Sequence, residues 1–485
     1  MNSDIRSISN KARIGIIGGG VAGATVALSL GELGLDVTLI EKGPTLVNGP
    51  PICHLHAGGN LYREISDQQC LTLLGESIDL LRLYPNAVDY RPTVVAVPKS
   101  DKGEPQDLFA RLEKLQDEYQ RLIAIDEANK VLGEPEQYFE VFTREQLEAL
   151  KKHKIVDKPE TLSEWMIPVA HYVDLTQLKF PIIMVQEYGL NLFRLAASAE
   201  LALQKMVNCS ILTNSKVTAI QSPADNWQIE YQNEGKKQFA EFDFLINAAG
   251  FRSGLVDDML GFPRQRLVEF KAAYVTRWQG NTTIWPELIF FGERGTPNGM
   301  AQFTPYPEGY FQLHGMTESV TLFDKGLVGS TAESAQPQLA PHFINKIDEG
   351  WSSEEVTSRT QGAINHLSRF IPEYAKHAMV SAKPLFGAQQ IPGQDADLRA
   401  AGVSFVGNNY ARCEIVKASS APSVADEIYK QLVQLGYVAN EQDTWKDFKI
   451  TASLQEVDID SYAQNICKHR DYPIALASCN IRKKG

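Results

Sequence analysis

The chain has no long uninterrupted hydrophobic run and few cysteines. Its 485 residues include six cysteines, with no Cys-x-x-Cys pair and no zinc-type spacing. This scarcity argues against a disulfide framework or a zinc site and favours reduced thiols in the cytoplasm. Residues 14–30 are apolar but interrupted by glycines, and residues 1–13 lack the apolar core of a secretory signal. We therefore expect no membrane span and no secretory signal.

Positive charge is also scarce. Lys and Arg number 47 against 59 Asp and Glu, so the net charge is −12. A protein that binds the nucleic-acid backbone needs the opposite balance, and we expect no nucleic-acid partner. No internal repeat or low-complexity block is visible, and 44% hydrophobic residues are typical of an ordinary globular protein. The length predicts two or three domains.

The strongest motif lies near the start of the chain. Residues 13–17 read as a short apolar strand, followed by a G-x-G-x-x-G turn that begins at Gly18 and by a helical segment at residues 24–33. Residues 36–40 read as a second strand, which ends at Glu41. This order, with an acidic residue at the end of the second strand, predicts a dinucleotide-binding βαβ unit.

Each part of this unit has a physical role. Gly18 permits the tight turn, Gly20 lets the backbone approach a pyrophosphate, and Gly23 lets helix and strand pack closely. The N-terminus of the helix offers free N–H groups to the phosphates. Glu41 can accept hydrogen bonds from a ribose, and its charge disfavours the 2′-phosphate of NADP. The cofactor-binding residues predicted here are Gly18, Gly20, Val21, Ala22, Gly23, Glu41 and Lys42.

Three later segments complete a family pattern. Residues 53–60 contain His-Ala-Gly-Gly, residues 242–250 end in Asn-Ala-Ala-Gly after a β-rich stretch, and residues 403–423 join a strand to a serine-rich turn before a helix predicted at residues 424–435. With the βαβ unit, these segments resemble the D-amino-acid-oxidase-like superfamily of FAD-dependent oxidoreductases, which includes sarcosine oxidases and the dehydrogenases of glycerol 3-phosphate and 2-hydroxyglutarate. The resemblance implies FAD and further cofactor-binding residues at His56, Ala57, Gly58, Val217, Ala248, Ala249, Gly250, Gly407 and Ser419.

The resemblance also implies an architecture. The expected fold is mixed α/β, with a discontinuous Rossmann-type FAD-binding domain and an inserted substrate domain built on an antiparallel sheet plus helices. Helical spacing in residues 66–160 and β-type alternation in residues 266–317 fit that insert. Residues 386–395 and 411–417 are expected to be loops near the end of the FAD-binding domain. The expected limits are 12–65, 190–262 and 380–437 for the FAD-binding domain, 66–189 and 263–379 for the substrate domain, and 438–485 for a C-terminal extension that the resemblance does not cover.

Few residues need to be catalytic, because a flavin accepts the hydride itself at N5 and the protein supplies orientation, an anion-binding group and in some cases a base. His56 is the first candidate for flavin contact, base or covalent link, against a histidine simply packed in its loop. His314, on a predicted strand, is either a second base or a core histidine. Arg63 either binds a substrate carboxylate or forms a surface salt bridge. Arg412 and Lys417 are further carboxylate candidates.

The predicted activity is transfer of a hydride from a small organic substrate, with a 2-hydroxy acid favoured, to flavin N5, and then of electrons to a quinone or another acceptor. Two alternatives stay open: an amino-acid or secondary-amine oxidase that uses oxygen, and a flavoprotein that serves as a maturation or assembly factor. The later FAD-type segments disfavour a nicotinamide-only dehydrogenase. The expected location is the cytoplasm, with peripheral membrane association left open.

Overall fold

The computed structural model describes residues 12–48, 63, 65–223, 226–399, 402–438 and 447–482. Two large β-sheets organise these residues, and helices cover their outer faces. The combination of a parallel and a mainly antiparallel sheet confirms the predicted mixed α/β class. In the described residues, no helix is both long and apolar enough to cross a bilayer.

The elements are numbered in chain order. The strands are β1 (Arg13–Ile17), β2 (Asp36–Ile40), β3 (Val88–Asp89), β4 (Thr93–Ala96), β5 (Phe139–Phe142), β6 (Ile182–Val185), β7 (Gly189–Leu190), β8 (Cys209–Leu212), β9 (Ser215–Gln221), β10 (Trp227–Asn233), β11 (Lys236–Phe242), β12 (Phe244–Asn247), β13 (Arg266–Trp278), β14 (Glu287–Phe290), β15 (Ala301–Pro305), β16 (Tyr310–Gly315), β17 (Leu327–Gly329), β18 (Ala378–Val380), β19 (Leu385–Pro392), β20 (Val403–Val406) and β21 (Tyr410–Cys413). The helices are α1 (Val21–Glu32), α2 (Asp67–Leu83), α3 (Phe109–Ile125), α4 (Arg144–Leu150), α5 (Leu162–Tyr172), α6 (Leu192–Lys205), α7 (Ser253–Leu260), α8 (Pro341–Asp348), α9 (Ser353–Leu367), α10 (Pro372–His377), α11 (Ala421–Gln434), α12 (Lys449–Ala452) and α13 (Glu456–His469).

The six-stranded sheet has the order β20-β21-β12-β1-β2-β8. Its pairs are parallel except for the β20–β21 hairpin. Strand β1 lies inside the sheet with both faces covered, which is why Ile14, Ile16 and Ile17 are all buried instead of alternating with exposed residues. The predicted bounds of β1 and β2 are confirmed. A separate antiparallel sheet of β9, β10 and β11 provides the predicted β-rich stretch before β12.

Helix α1 begins at Val21, three residues before the predicted start, with Gly20 as its N-cap. It is buried along most of its length because one side packs on the parallel sheet and the other on α6 and α11. Only glycine fits at position 23, since a Cβ atom there would lie 1.9 Å from the carbonyl oxygen of Gly18. The close packing of helix on strand expected from Gly23 is therefore confirmed.

The larger sheet has the order β17-β13-β16-β15-β14-β4-β6-β5, with β18 and β19 also paired to β13. One face is apolar and packs on α5, α9 and α10; Tyr274, Phe303 and Trp285 belong to this core. Residues 66–160 contribute the predicted helices α2 and α3, but also strands β4 and β5, which sequence reasoning missed. Four-residue strands are too short to be recognised against the helical spacing around them.

Two expected loops contain strands. Residues 385–392 form β19, which pairs antiparallel with Arg266–Ala273 of β13. Residues 411–413 belong to β21, the strand that pairs with β12. The charge of Arg412 made residues 411–413 resemble a loop in the sequence. In the structure this guanidinium is buried and donates to Asp257 at 2.7 Å, so the strand carries no unpaired charge there.

The C-terminal extension packs on the body of the protein. Ile459, Ala463, Ile466 and Cys467 of α13 are buried, and this helix packs against α6. The domain limits themselves stay a prediction.

Candidate cofactor and substrate site

A cavity of about 1540 Å³ lies between the carboxyl end of β1 and one face of the larger sheet. Its lining includes Gly18, Gly20 and Glu41 from the parallel sheet, and Lys271 and His314 from the larger one. Ligands of open parallel sheets bind at the carboxyl ends of the strands, and the cavity lies at this end of β1. The volume exceeds the roughly 300–1,000 Å³ of ordinary small-molecule sites. The cavity therefore has room for a dinucleotide together with a small substrate.

The N-terminus of α1 opens into this cavity at Gly20. This N-cap has no side-chain hydrogen bond to the helix, and the first turn carries no acidic residue. A Cβ atom at Gly20 would meet nothing within 4 Å, so the backbone here borders open space. Val21 and Ala22, which begin the helix, also line the cavity. Uncapped N–H groups beside open space suit a pyrophosphate.

Glu41 lies at the end of β2 and is buried, with 8% of its surface exposed. Its Oε2 accepts a hydrogen bond from the N–H of Gly19 at 2.7 Å, and its Oε1 accepts one from the N–H of Gly43 at 2.6 Å. These two backbone donors orient the carboxylate. Each oxygen has a second lone pair, so Glu41 keeps the capacity to accept a hydrogen bond from a ribose hydroxyl. The adjacent Lys42 also lines the cavity.

The later candidates for cofactor binding divide into three groups. Those that line the same cavity are Val217, Ala248, Ala249, Gly250 and Ser419. Gly407 does not line it; it lies in the exposed turn between β20 and β21, because these strands form a hairpin at the edge of the sheet. His56, Ala57 and Gly58 lie outside the described residues.

Gly18 shows how tightly the ends of β1 and β12 approach. It has φ of +102°, and a Cβ atom there would lie 2.5 Å from the carbonyl oxygen of Ala248. A side chain would force the two strand ends apart and also requires a conformation that L-residues rarely adopt. The turn that presents Gly20 therefore depends on glycine at position 18.

Strand register places a set of polar side chains on the cavity face of the larger sheet. His314 is opposite Gln302 on β15. On β13, Tyr274 is opposite Leu313, so Ala273 is opposite His314. Lys271 is two residues from Ala273 along the same strand, and its side chain therefore lies on the same face of the sheet. Lys271, His314 and Gln302 all line the cavity.

The same region is rich in positive charge. Lys271 forms an ion pair with Glu269 at 2.7 Å and donates to Gln389 Oε1 at 3.0 Å, and Arg294 pairs with the same Glu269 carboxylate. Burial lowers the pKa of Lys271, and repulsion from Arg294 and Arg399 adds to this. Burial also lowers the pKa of Lys417, with further repulsion from Arg399 and Lys271. Electrostatic repulsion thus links four cationic side chains at this end of the cavity: Lys271, Arg294, Arg399 and Lys417.

The residues predicted from the sequence to bind or deprotonate the substrate differ in whether they line the cavity. His314 is buried on β16 and lines the cavity, and Lys417 lines it too. Arg63 also lines it, but both of its terminal nitrogens donate to Asp101, at 2.7 and 3.0 Å, and its guanidinium lies 4.4 Å from the ring centre of Phe291. Arg63 thus already holds a carboxylate. Arg412 is not among the lining residues.

Sequence reasoning missed Lys271, Arg294, Arg399 and Gln302. The usable signal was the pair Glu269 and Lys271 among the apolar residues in the middle of β13, since charged residues inside a strand point to a polar cavity or an ion pair. It also missed Arg470 and Tyr472 of the C-terminal extension, which line the cavity. No local pattern marks these two residues.

Comparison with known proteins fits this geometry. Residues 13–178 match the family model described as FAD dependent oxidoreductase (DAO). No curated protein sequence matches the chain.

Solved structures share the fold at low identity. L-α-glycerophosphate oxidase from Mycoplasma pneumoniae, solved with FAD bound, is 14% identical with a TM-score of 0.56, over 90% of this chain and 98% of that one. L-amino acid deaminase from Proteus vulgaris is 14% identical with a TM-score of 0.55, over 90% and 96%. L-proline dehydrogenase from P. horikoshii is 17% identical with a TM-score of 0.52, over 88% and 94%.

The family match covers the βαβ unit, and the fold match extends over most of the chain. The uncapped N-terminus of α1, the open space at Gly20 and the oriented carboxylate of Glu41 fit an FAD molecule. The chain is thus an FAD-dependent oxidoreductase, in which residues 13–178 match the FAD dependent oxidoreductase (DAO) family.

Proposed function

We propose that this enzyme oxidises a small 2-hydroxy acid and passes the electrons to a quinone or another acceptor. The observation that carries the proposal is the cationic end of the cavity, where Lys271 is repelled by Arg294 and Arg399, and Lys417 by Arg399 and Lys271. Of these four cations, Lys271 and Arg294 pair with the carboxylate of Glu269. Cations desolvated in this way favour an anionic ligand, because a carboxylate offsets the burial and the repulsion that lower the pKa of Lys271 and Lys417.

The residues divide the work along the cavity. FAD, when bound, supplies the hydride acceptor. The N-terminus of α1 and Gly20 hold its pyrophosphate, and Glu41 accepts a hydrogen bond from its ribose. At the opposite end, Lys271 and its cationic neighbours bind the substrate carboxylate and orient the carbon that loses hydride. His314, on the same sheet face as Lys271, accepts the proton of the substrate hydroxyl at a ring nitrogen.

The need for a base separates the two substrate classes. An alcohol must lose its hydroxyl proton as the hydride leaves, whereas a neutral amine has a lone pair that eases hydride loss by itself. A histidine on the cavity wall supports the alcohol.

The five described cysteines are all free thiols, which supports placing the enzyme in the reducing cytoplasm.

An anaerobic titration tests the proposal. The visible spectrum of the yellow holoprotein would be followed as L- and D-2-hydroxy acids, amino acids and N-methylated amines are added in turn. We expect bleaching by at least one 2-hydroxy acid, with a much weaker response to the same molecule as its methyl ester. Bleaching by amines alone would contradict the proposal and indicate an amino-acid or amine oxidase.

The variant Lys271→Met provides a check on the site, with Lys376→Met as its control. Lys376 is 67% exposed and pairs with Glu373 on α10, away from the cavity. We expect the Lys271 variant to need a higher hydroxy-acid concentration for half bleaching and the control to behave like the wild type. If no hydroxy acid, amino acid or amine bleaches the flavin of the wild-type protein, this result would contradict the catalytic proposal and favour a partner-dependent role.

A further inference from the structure

The C-terminal extension supplies part of the wall of the cofactor cavity. Arg470 and Tyr472 both line the cavity. They follow α13 and lie far outside residues 13–178, which match the family model. The extension is therefore built into the site, although neither the family match nor the local sequence indicates this.

Arg470 holds the chain segment that follows β2. Its Nη1 donates to the carbonyl oxygen of Val47 at 3.0 Å, and its Nη2 donates to the carbonyl oxygen of Leu46 at 2.6 Å and to Thr45 Oγ1 at 2.8 Å. Its guanidinium also lies 5.6 Å from the ring centre of Phe193. Burial lowers the pKa of Arg470 to about 10, so the side chain stays charged at neutral pH.

The segment that Arg470 holds is itself bonded to the glycine-rich turn. The N–H of Val47 donates to the carbonyl oxygen of Gly19 at 2.7 Å, and the N–H of Gly19 donates to Glu41 Oε2 at 2.7 Å. The side chain of Leu46 also packs beside Gly19, where a Cβ atom would lie 2.7 Å from Leu46 Cδ2. Two successive contacts thus connect Arg470 with the glycine-rich turn, and a third connects that turn with the carboxylate of Glu41.

Tyr472 connects the extension to the opposite wall. Its hydroxyl donates to the carbonyl oxygen of Pro384 at 2.7 Å, and the ammonium of Lys383 lies 4.9 Å from the centre of its ring. Residues 383 and 384 immediately precede β19 of the larger sheet. The two side chains therefore join the phosphate end of the cavity to its sheet wall.

The extension is anchored firmly enough to act as a support. Glu32, at the end of α1, accepts hydrogen bonds from the N–H groups of Ile450 and Thr451 at 3.1 and 2.8 Å. Asn191 donates to the carbonyl oxygens of Leu476 and Ser478 at 2.9 and 3.1 Å. The extension is thus attached to the body of the protein before and after Arg470 in the chain. These attachments fix the position of the guanidinium beside residues 45–47.

We propose that Arg470 is a positioning residue for FAD: it holds residues 45–47 against Gly19 and so keeps the glycine-rich turn and Glu41 in the arrangement that binds the pyrophosphate and ribose. Loss of the guanidinium frees the loop, and part of the FAD binding energy must then be used to order it again. The consequence is weaker cofactor binding with little change in the cavity that the substrate meets.

Full-length Arg470→Ala and Arg470→Lys holoproteins test this role, with Arg482→Ala as the control. Arg482 belongs to the same extension but is 40% exposed and pairs with Glu456 and Asp460, away from the cavity. The readouts are the FAD release rate, followed by the rise of flavin fluorescence on dilution, and the FAD dissociation constant.

We expect Arg470→Ala to raise the dissociation constant at least tenfold, Arg470→Lys to recover part of the loss, and Arg482→Ala to match the wild type. Guanidinium at millimolar concentration, too low to unfold the protein, should slow FAD release from Arg470→Ala and leave the other proteins unaffected. If Arg470→Ala does not fold, Arg470→Lys alone decides, because its single ammonium cannot replace all three hydrogen bonds. FAD binding of wild-type strength in Arg470→Ala would overturn the proposal, as would wild-type binding in Arg470→Lys if Arg470→Ala does not fold. Equal weakening in Arg482→Ala would overturn it too.

Discussion

The backbone N–H of Gly19 donates a hydrogen bond of 2.7 Å to Oε2 of Glu41. This bond joins the glycine-rich turn after β1 to the acidic end of β2, two parts of the motif that are separated by the whole of α1. The carboxylate is thereby oriented before any cofactor arrives. A group that is held in its binding orientation loses less entropy when the ligand binds.

Neutralising Glu41 should weaken FAD binding. In Glu41→Gln the amide keeps one acceptor but loses the charge and one hydrogen bond, and charge-assisted hydrogen bonds contribute about 1.5–3 kcal/mol each. We expect the FAD dissociation constant to rise about tenfold to a hundredfold, measured by flavin fluorescence. Glu241→Gln, a mainly exposed residue of β11, is the matched control. An unchanged dissociation constant in Glu41→Gln would exclude this carboxylate from cofactor binding.

Substitutions of Gly20 and Gly23 should have different effects, the first on flavin content and the second on folding stability. Gly20→Val adds atoms to open space beside the helix N-terminus, so the protein should fold with near-normal stability in urea and yet purify with little flavin. Gly23→Ala puts a Cβ atom 1.9 Å from the Gly18 oxygen, which should cost roughly 1–3 kcal/mol of folding free energy. Full flavin content in Gly20→Val would show that the pyrophosphate binds elsewhere.

Replacement of His314 should affect turnover and not cofactor content. If the imidazole accepts the hydroxyl proton, His314→Asn should lower kcat about 10²–10⁴-fold, with normal flavin absorbance and stability. Stopped-flow measurement of flavin reduction by the hydroxy acid isolates this step. His342→Asn, an exposed histidine on α8, is the control. Normal reduction by His314→Asn would remove this residue from the mechanism.

Binding of an anionic substrate should weaken at high pH. Burial, with repulsion from Arg294 and Arg399, lowers the pKa of Lys271 below its ordinary value of 10.5. As the pH rises through that lowered value, the ammonium loses its charge and the carboxylate loses an attractive partner. We expect KM for the hydroxy acid to rise at a pH below 10.5 in the wild type. In Lys271→Met, KM should be high throughout and lack this rise; a rise of wild-type size would assign the titration to another group.

His366 should make the protein less stable in mild acid. Burial, aided by repulsion from Arg369, lowers its pKa from 6.5 to about 4, and its Nε2 lies 3.0 Å from the carbonyl oxygen of Gly299. Between pH 6.5 and 4 the unfolded chain binds a proton here that the folded protein excludes, so stability falls as the pH falls through this window. The expected contribution is about 2 kcal/mol between pH 7.5 and 5.

The variant His366→Gln isolates this contribution. The glutamine amide retains a donor for the Gly299 carbonyl but does not titrate. Urea unfolding at pH 7.5 and 5 should show a smaller loss of stability for the variant than for the wild type. Equal losses in the two proteins would show that His366 does not carry the effect.

The βαβ unit was predictable because its signals are local. Two mainly apolar five-residue segments, the spacing of the glycines and the acidic residue after β2 predicted the bounds of β1 and β2 as observed. Conversely, β19 and β21 were expected to be loops, since their strand character comes from pairing with β13 and β12, which are distant in the chain. The cationic end of the cavity was missed for the same reason, as Lys271 and Arg399 come together only across the sheet and its neighbouring loop.

By itself the sequence determined the cofactor class and the βαβ unit that borders the cavity, because a glycine turn, a helix N-terminus and an acidic residue act through backbone geometry within thirty residues. Only the tertiary structure decided which charged side chains share the cavity. Lys271 faces it because of strand register, Arg63 is held by Asp101, and Arg470 reaches Leu46 from the far end of the chain. Contacts of this kind depend on how distant segments pack, and no local pattern of residues records that packing.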